Sequence, residues 1–325
     1  MVAQGPVREG GSVRVAGIDC GTNSIRLLIA EVTDAGLVDV DRRMLVVRLG
    51  QGVDATGRLA PEALERTFAA TREYAEAIRA ARAERIRFVA TSASRDAENA
   101  AEFRAGIADI LGVEPEVISG EQEAALSFAG ATAGLGAATD ADLARPYLVV
   151  DVGGGSTEFV LGDVTDGAAN VLASRSVDVG CVRMRERRLH SDPPTAEEIA
   201  AATADIDAAI DLAAEVVPLE KARTLIGVAG TVTTIAAISL GLETYDPDAI
   251  HGTRVPAKTV HQISARMLAA TKDERAAIGV MHPGRVDVIG AGALVVDRIV
   301  RRLGDLDLIA SEHDILDGIA ASLAP

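Results

Sequence analysis

The 325-residue sequence contains no tryptophan, three tyrosines and five phenylalanines, an aromatic share of 2%. So few rings exclude a base-stacking surface, a sugar platform or an aromatic cage, each of which is built from aromatic faces. Lysine is almost as scarce, at three of 32 basic residues, and these face 48 acidic residues for a formal net charge of -16. A surface of that sign repels nucleic acid and anionic membrane, so neither is expected as a partner. The two cysteines, Cys20 and Cys181, stand far apart and offer no metal-ligand or redox spacing, which makes reducing surroundings the default. No uncharged apolar run approaches membrane-spanning length, and the first ten residues carry Arg8 and Glu9 instead of an apolar stretch. A cytoplasmic protein without a signal peptide is expected. Also missing are a Walker A loop, a GxSxG elbow and any histidine spacing suited to zinc.

What the sequence does have is apolar mass: 48% of it is hydrophobic, mostly Ala, Val, Leu and Ile, enough for one large domain or two medium ones. Acidity does not forbid an anionic ligand, because focused arginines, backbone amides and a metal hold phosphate inside acidic proteins. The excess of Arg over Lys suits forked anion contacts, or else follows from a coding bias toward Arg and Ala.

The chain repeats its opening motif. VAGIDCGTNSIRLLIAEV begins at Val15 and LVVDVGGGSTEFVLGDV at Leu148. With Asp19 placed on Asp151, Gly21 falls on Gly153, Ser24 on Ser156, Leu28 on Val160 and Val32 on Val164, without a gap. Each copy reads as an apolar strand, a small-residue turn holding Asp and Ser, and a second strand. A dinucleotide fingerprint would open a helix at this point. Two α/β lobes of similar core follow, with mixed sheets hinged over a cleft and the two turns facing each other across it.

Between and after the repeats, helices are expected over 61–83, 97–111, 121–133, 195–214, 218–223, 231–240, 256–270, the later part of 284–304, and 312–323. A strand running into a polar turn is expected over 86–95, and further strands at 116–119, 224–228 and 306–311. The loose segment 133–142 marks the change of lobe, which gives a first lobe over 1–135 and a second over 136–311.

Three successive glycines between strands need a reason, and a close backbone approach to phosphate oxygens supplies one. Gly153, Gly154 and Gly155 would offer amides, Ser156 and Thr157 hydroxyls, and Asp151 a carboxylate for a divalent cation. The first turn would add Gly21, Thr22, Asn23 and Ser24, with Asp19 near the metal. Arg26, whose counterpart in the second repeat is Glu158, either lines the cleft or pairs with an acid there. Arg95 sits at the mouth of a helix, where it binds phosphate or merely caps the surface. Glu121 and Glu123 lie in a first helical turn, an ordinary place for acids unless one is aimed at water in the cleft. Gly230 and Thr231, in GVAGTVTT, leave room for a phosphate, ribose or base, or serve close helix–strand packing. The arginines of VRMRERRLH, Arg183, Arg185, Arg187 and Arg188, are expected to be solvated, though they would also guide a polyanion.

Taken together, GIDCGTNSIRLLIAE, MLVVRLGQG, ATSASRDAENAAEF, VISGEQEAALSFAG, VVDVGGGSTEFVLG, VDVGCVRMRE, GVAGTVTTIA and PGRVDVIGAGALVV span nearly the whole chain. In that order they resemble the exopolyphosphatase/guanosine pentaphosphatase family of the sugar kinase–actin–heat-shock-70 superfamily. The resemblance implies two ribonuclease-H-like lobes, with the last helix, about 312–325, returning to the first. It implies Mg²⁺-dependent removal of a terminal phosphate from inorganic polyphosphate or guanosine pentaphosphate, with Mn²⁺ as a substitute, and a homodimer. Its catalytic glutamate falls on Glu123, its phosphate-contacting arginine on Arg95, and its metal and phosphate residues on Asp19, Asp151 and Glu158 with the two turns. Glu158 joins Glu123 and Arg95 in the expected catalytic set.

Two departures stand out. Longer members continue into further helical domains, so short polyphosphate is the expected substrate here. The family pattern S-x-x-G-L-R-x-G reads SEHDILDG at 311–318, placing Asp314 for Gly and Leu316 for Arg, so a cation contact is expected to be lost. The remaining alternatives are an actin-like ATPase or kinase, and a non-catalytic sensor of polyphosphate or nucleotide.

Overall fold

The structure is a computed structural model that describes residues 13–33, 36–133, 135, 143–165 and 168–324. Apart from Ala133 and Leu135, the connector expected over 133–142 lies largely outside these residues, as do the first ten positions. Strands β1 (Val13–Cys20), β2 (Ser24–Thr33), β3 (Gly36–Val46), β4 (Arg85–Ala90) and β5 (Glu116–Val117) form one sheet in the order β3-β2-β1-β4-β5. Strands β6 (Tyr147–Val152), β7 (Thr157–Thr165), β8 (Ala168–Val177), β9 (Thr224–Val228), β10 (Arg254–Val255) and β11 (Leu308–Ala310) form the other, in the order β10-β11-β9-β6-β7-β8. In each sheet three antiparallel strands are extended by a parallel one, β4 beside β1 and β9 beside β6. This is the ribonuclease-H-like arrangement, present twice.

The duplication reaches into irregularities. Asp19 pairs with Arg26 across β1 and β2, and Asp151 with Glu158 across β6 and β7. The register of β2 on β3 slips between Ile29 and Ala30, and that of β7 on β8 slips between Leu161 and Gly162, the equivalent residues of the second copy. Such bulges bend a strand and strengthen its twist.

The helices are α1 (Val53–Thr56), α2 (Pro61–Ala81), α3 (Ser92–Arg95), α4 (Ala100–Leu111), α5 (Gly120–Ala133), α6 (Cys181–Arg187), α7 (Ala196–Ala214), α8 (Ala229–Ser239), α9 (Pro247–Ile250), α10 (Ala257–Ala269), α11 (Lys272–Ala276), α12 (Ile289–Arg302) and α13 (Ile315–Ala321). In α2, Pro61 occupies the first turn, and Leu64, Thr67, Ala70, Thr71, Tyr74 and Ile78 recur at three and four to face the first sheet. Helix α7 begins in a Thr195–Glu198 capping box. The helix expected over 218–223 is only a 3-10 turn at Leu219–Lys221. The last helix starts at Ile315 because Asp314 caps it, accepting from the Leu316 amide.

Each sheet is covered on both faces, and the covering helices are exchanged. The first sheet packs α2 and α4 on one face and α13 on the other, where Leu316 and Ala320 meet Val15, Leu28 and Ala30. The second sheet carries the larger core, with α7, α8, α10 and α12, on one face and α5 on the other, where Ala124, Phe128 and Ala131 meet Val149, Val160, Ile226 and Val228. A division at 135/136 therefore follows the chain but not the packing. Helix α5 precedes that point and covers the second sheet, because its apolar stripe fits the space that Gly162 leaves for Phe128.

Helices α5 and α13 cross tightly where glycines allow it. A Cβ on Gly130 would lie 1.8 Å from the Asp314 carbonyl oxygen, and one on Gly318 would lie 2.1 Å from that of Leu126. Backbone cannot rotate out of the way, so Gly318→Ala should destabilise the fold by about 1–3 kcal/mol, the usual cost of overpacking. Urea unfolding should show a lower midpoint at unchanged slope. An unchanged midpoint would contradict so close a crossing.

Candidate active site

Both hairpin turns close in the same way. Gly21 donates its amide to the Ser24 carbonyl at 3.0 Å, and Gly153 to that of Ser156 at 3.1 Å. The first turn is backed by residues 47–50, whose amides bind the Thr22 and Asn23 carbonyls. The second is backed by the start of α6: Cys181 donates to the Gly153 carbonyl at 2.9 Å, and Val182 and Arg183 to that of Gly154 at 2.9 and 3.1 Å. The two turns touch. A Cβ on Gly154 would lie 2.8 Å from Thr22 Cβ, and one on Gly155 would lie 2.7 Å from the hydroxyl oxygens of Thr22 and Ser92. Only glycine permits this approach.

The strand ends and α5 bring four buried carboxylates together: Asp19, Glu123, Asp151 and Glu158. Arg26 donates to Asp19 Oδ2 from Nε at 3.0 Å and Nη2 at 2.6 Å, and its Nη1 binds Asp314. Asp19 Oδ1 is buried and has no partner among the described residues. Ser127 of α5 donates to Asp151 Oδ2 at 2.8 Å, and Ser176 of β8 to Glu158 Oε1 at 2.7 Å. Arg95 reaches Glu123 Oε2 at 3.2 Å and the Ile118 carbonyl at 3.0 Å.

Burial controls the protonation of this group. It lifts Glu123 to about 8, with Arg95 opposing and Asp151 and Asp19 adding repulsion. Burial also lifts Asp151 to about 7, with Asp314 the largest repulsive charge, and it raises Asp19. Glu158 is driven well up by burial, then by Glu123 and Asp151. Burial disfavours the charge on Arg26, but Asp314 and Asp19 outweigh it and keep the guanidinium protonated.

A cavity of about 110 Å³ lies between the turns. Its wall includes Asp19, Gly21, Thr22, Asn23, Ser24 and Arg26 from the first lobe, and Asp151, Gly153, Gly154, Ser156, Gly230 and Thr231 from the second, with Glu123 between them. Four expected residues stand off that wall. Gly155 packs on Thr22 and Ser92; Thr157 donates its hydroxyl to the Val179 carbonyl at 2.6 Å; Glu158 accepts from Ser176; and Arg95 is paired with Glu123. The hydroxyl of Thr157 is thus committed to backbone and not to a ligand.

The cavity also has a residue that the turn motifs did not indicate. Arg285 lines it with no carboxylate within 4 Å among the described residues, its guanidinium lying so close on Gly230 that a Cβ there would meet Arg285 Cζ at 2.4 Å. Gly230 is what admits it, and the neighbouring Ala229 is held at φ 70°. Arg285 also borders a second cavity of about 410 Å³, shared with Arg26 and Gly230 and walled by Arg42, Tyr245, Met281 and Glu312. Leu316 lies in the apolar packing on the first sheet, and Asp314 beside it binds Arg26. One sequence expectation needs correction. The basic cluster is not simply solvated, because Arg183 and Arg187 pair with Asp54, and Arg183 also with Asp96.

Residues 28–325 match the Ppx/GppA phosphatase family. The chain is 52% identical over 325 residues to a Mycobacterium tuberculosis protein named exopolyphosphatase 2, across 96% of this chain and 98% of that one. Among solved structures, an exopolyphosphatase-like protein superposes with a TM-score of 0.90 at 48% identity, covering 96% of this chain and 97% of the other. The Ppx/GppA family member of Aquifex aeolicus does so with a TM-score of 0.76 at 30% identity, covering 96% and 97%.

The buried acids make stability depend on pH. Without metal, Glu123 keeps its proton in the fold up to about pH 8, whereas in the unfolded chain it ionises near pH ~4.3. Stability from the neutral carboxyl is complete below the unfolded value and is lost as pH rises toward 8. Thermal unfolding in chelator should show Glu123→Gln gaining on the parent from pH 5 to 8 and levelling beyond. A gap that does not vary with pH would contradict a buried neutral Glu123.

Proposed function

Because the chain belongs to the Ppx/GppA phosphatase family, we propose that it is an exopolyphosphatase, releasing terminal orthophosphate from short inorganic polyphosphate. The observation that carries this reading is the cavity itself. Two facing backbone turns, an arginine without a carboxylate partner and a buried glutamate converge on a space too small for much beyond a phosphoryl group.

The amides of the two turns take the terminal phosphoryl oxygens, where charge develops during transfer. Glu123, once deprotonated, accepts the proton of the attacking water, and Arg95 holds its carboxylate in place. In-line displacement requires the leaving oxygen opposite the water. Glu123 lines only the smaller cavity, whereas Arg285 and Gly230 line both, so the departing chain extends into the larger one with Arg285 against it. The finite size of that space supports short chains.

The residues present fit a divalent cation. Asp19 Oδ1 is a buried oxygen without a partner among the described residues, and Asp151 is pushed toward neutrality by burial and then by the charge of Asp314. Asp19 and Asp151 would hold Mg²⁺, or Mn²⁺ in its place, with Glu158 supporting them from behind. When bound, the ion supplies Lewis-acid polarisation of the phosphoryl oxygens. The family reading also supports a cytoplasmic homodimer; among the described residues no helix is long and apolar enough to cross a membrane.

A second reading, guanosine pentaphosphate 5′-phosphohydrolysis, is favoured by one observation. The larger cavity has Met281, Val280 and Tyr245 in its wall, which an inorganic chain does not need. Its volume lies within the range of small-molecule sites.

Phosphate release with Mg²⁺ should be followed on short polyphosphate, long polyphosphate, guanosine pentaphosphate and ATP in parallel. Release from short polyphosphate should dominate, and Glu123→Gln should lower kcat by about 10²–10⁴-fold, as loss of a general base does, with polyphosphate binding retained. Near-normal turnover by that variant would remove Glu123 from the role, and release from guanosine pentaphosphate alone would shift the substrate. The sign of the pH dependence follows from the raised Glu123 carboxyl. The base form grows as pH rises, so kcat/KM should climb through an acid limb that saturating Mg²⁺ moves below about 8. A limb that ignores Mg²⁺ would separate the cation from the glutamate.

A further inference from the structure

The short helix α6 is joined to the phosphate cavity from behind and to the opposite lobe from in front. All three glycine carbonyls of the second turn are taken by α6. Gly153 and Gly154 accept from the backbone amides of residues 181–183, and Gly155 accepts from Arg183 Nε at 2.7 Å. In a planar trans peptide the carbonyl of one residue and the amide of the next point in opposite directions. Fixing these carbonyls toward α6 therefore turns the amides of Gly154, Gly155 and Ser156 the other way, toward the first turn and the cavity.

The third of these contacts differs from the other two, because it comes from a side chain whose remaining donors belong to the other lobe. Arg183 Nη1 donates to Asp54 at 2.6 Å and Nη2 to Asp96 at 2.6 Å. Asp54 lies in α1 and also receives Arg187 at 2.8 Å, the neighbouring Gly52 amide donates to Glu186 at 3.1 Å, and Asp96 directly follows Arg95. One guanidinium thus spans three segments on both sides of the cleft, a geometry that a planar fork provides and a lysine ammonium does not.

We infer that Arg183 is a positioning residue that couples closure of the cleft to the orientation of the Gly155–Ser156 peptide, so that the phosphate-binding turn is fully set only when Asp54 and Asp96 of the first lobe have closed on it. Arg183, Asp54 and Asp96 do not line the phosphate cavity. The inference rests on reading that cavity as the phosphate site, and it adds a condition on when the site is competent. Separated lobes take Asp54 and Asp96 from the guanidinium, leaving it only the 3.9 Å contact with Asp178 of its own lobe, and leave Gly155 without a fixed donor. Closure restores both.

The test compares Arg183→Gln, Arg183→Lys, the Asp54→Asn/Asp96→Asn pair and the combined variant, with kcat and KM on short polyphosphate and small-angle scattering of each. Expected is a fall in kcat of about tenfold or more in Arg183→Gln, within the hundredfold that a misplacement of about 1 Å can cost. KM should move less, because the first turn and Arg285 still meet the ground state. Lysine should not rescue, the first-lobe pair should reproduce the loss without touching α6, and the combined variant should be no worse than Arg183→Gln alone. A kcat for Arg183→Gln within twofold of the parent, or losses that multiply, would overturn the coupling. If the parent itself releases no phosphate from polyphosphate, the functional reading fails separately. The latch then stands if Arg183→Gln scatters as a more open particle than the parent, and falls if the two coincide.

Discussion

Carboxylates crowded into one dry cleft set the terms for the rest of this molecule. Asp19, Glu123, Asp151 and Glu158, with Asp314 beside them, are buried within reach of one another's charge. Like charges removed from water must be neutralised by protons, by guanidinium groups or by a cation. Two of these remedies are visible. Burial favours the protonated forms of Glu123 and Asp151, and Arg26 is gripped between Asp19 and Asp314, while one oxygen of Asp19 has no partner among the described residues. The serines that reach in from α5 and β8 satisfy single oxygens without adding charge.

Duplication supplies the scaffold for this group, and asymmetry supplies its polarity. The same hairpin occurs in both lobes, with the same turn bond and the same bulge. Yet the residue across from the strand-end aspartate is Arg26 in one lobe and Glu158 in the other. The first lobe therefore brings a fixed cation to the cavity wall, whereas the second holds an additional acid off that wall, bound by Ser176.

The repeat was legible because D-x-G-x-x-S holds its spacing, and α2 was legible because Pro61 and the apolar spacing after it are local signals. The residues of the two turns that meet the cavity could be named for the same reason. What local sequence did not carry is pairing over distance. Nothing in 119–133 says that Phe128 fits against Gly162 of the other sheet, and nothing in PGRVDV says that Arg285 lies on Gly230. Arg183 looked like one of several solvated arginines until Asp54 and Asp96, some ninety to a hundred and thirty positions away, came to meet it. Thr157 showed the opposite failure, a hydroxyl in a ligand-binding motif that is turned to the Val179 carbonyl.

The exchange of α5 and α13 bears on how such a molecule arose. Helix α5 follows β5 and α13 follows β11, which hold equivalent places in the two sheets, and each helix covers the sheet of the other half. A single half, made alone, would leave one apolar sheet face bare and its own last helix without a seat. Two such halves that trade helices cover each other's bare faces, and the single chain carries that trade within itself while the halves differ at positions such as 26 and 158.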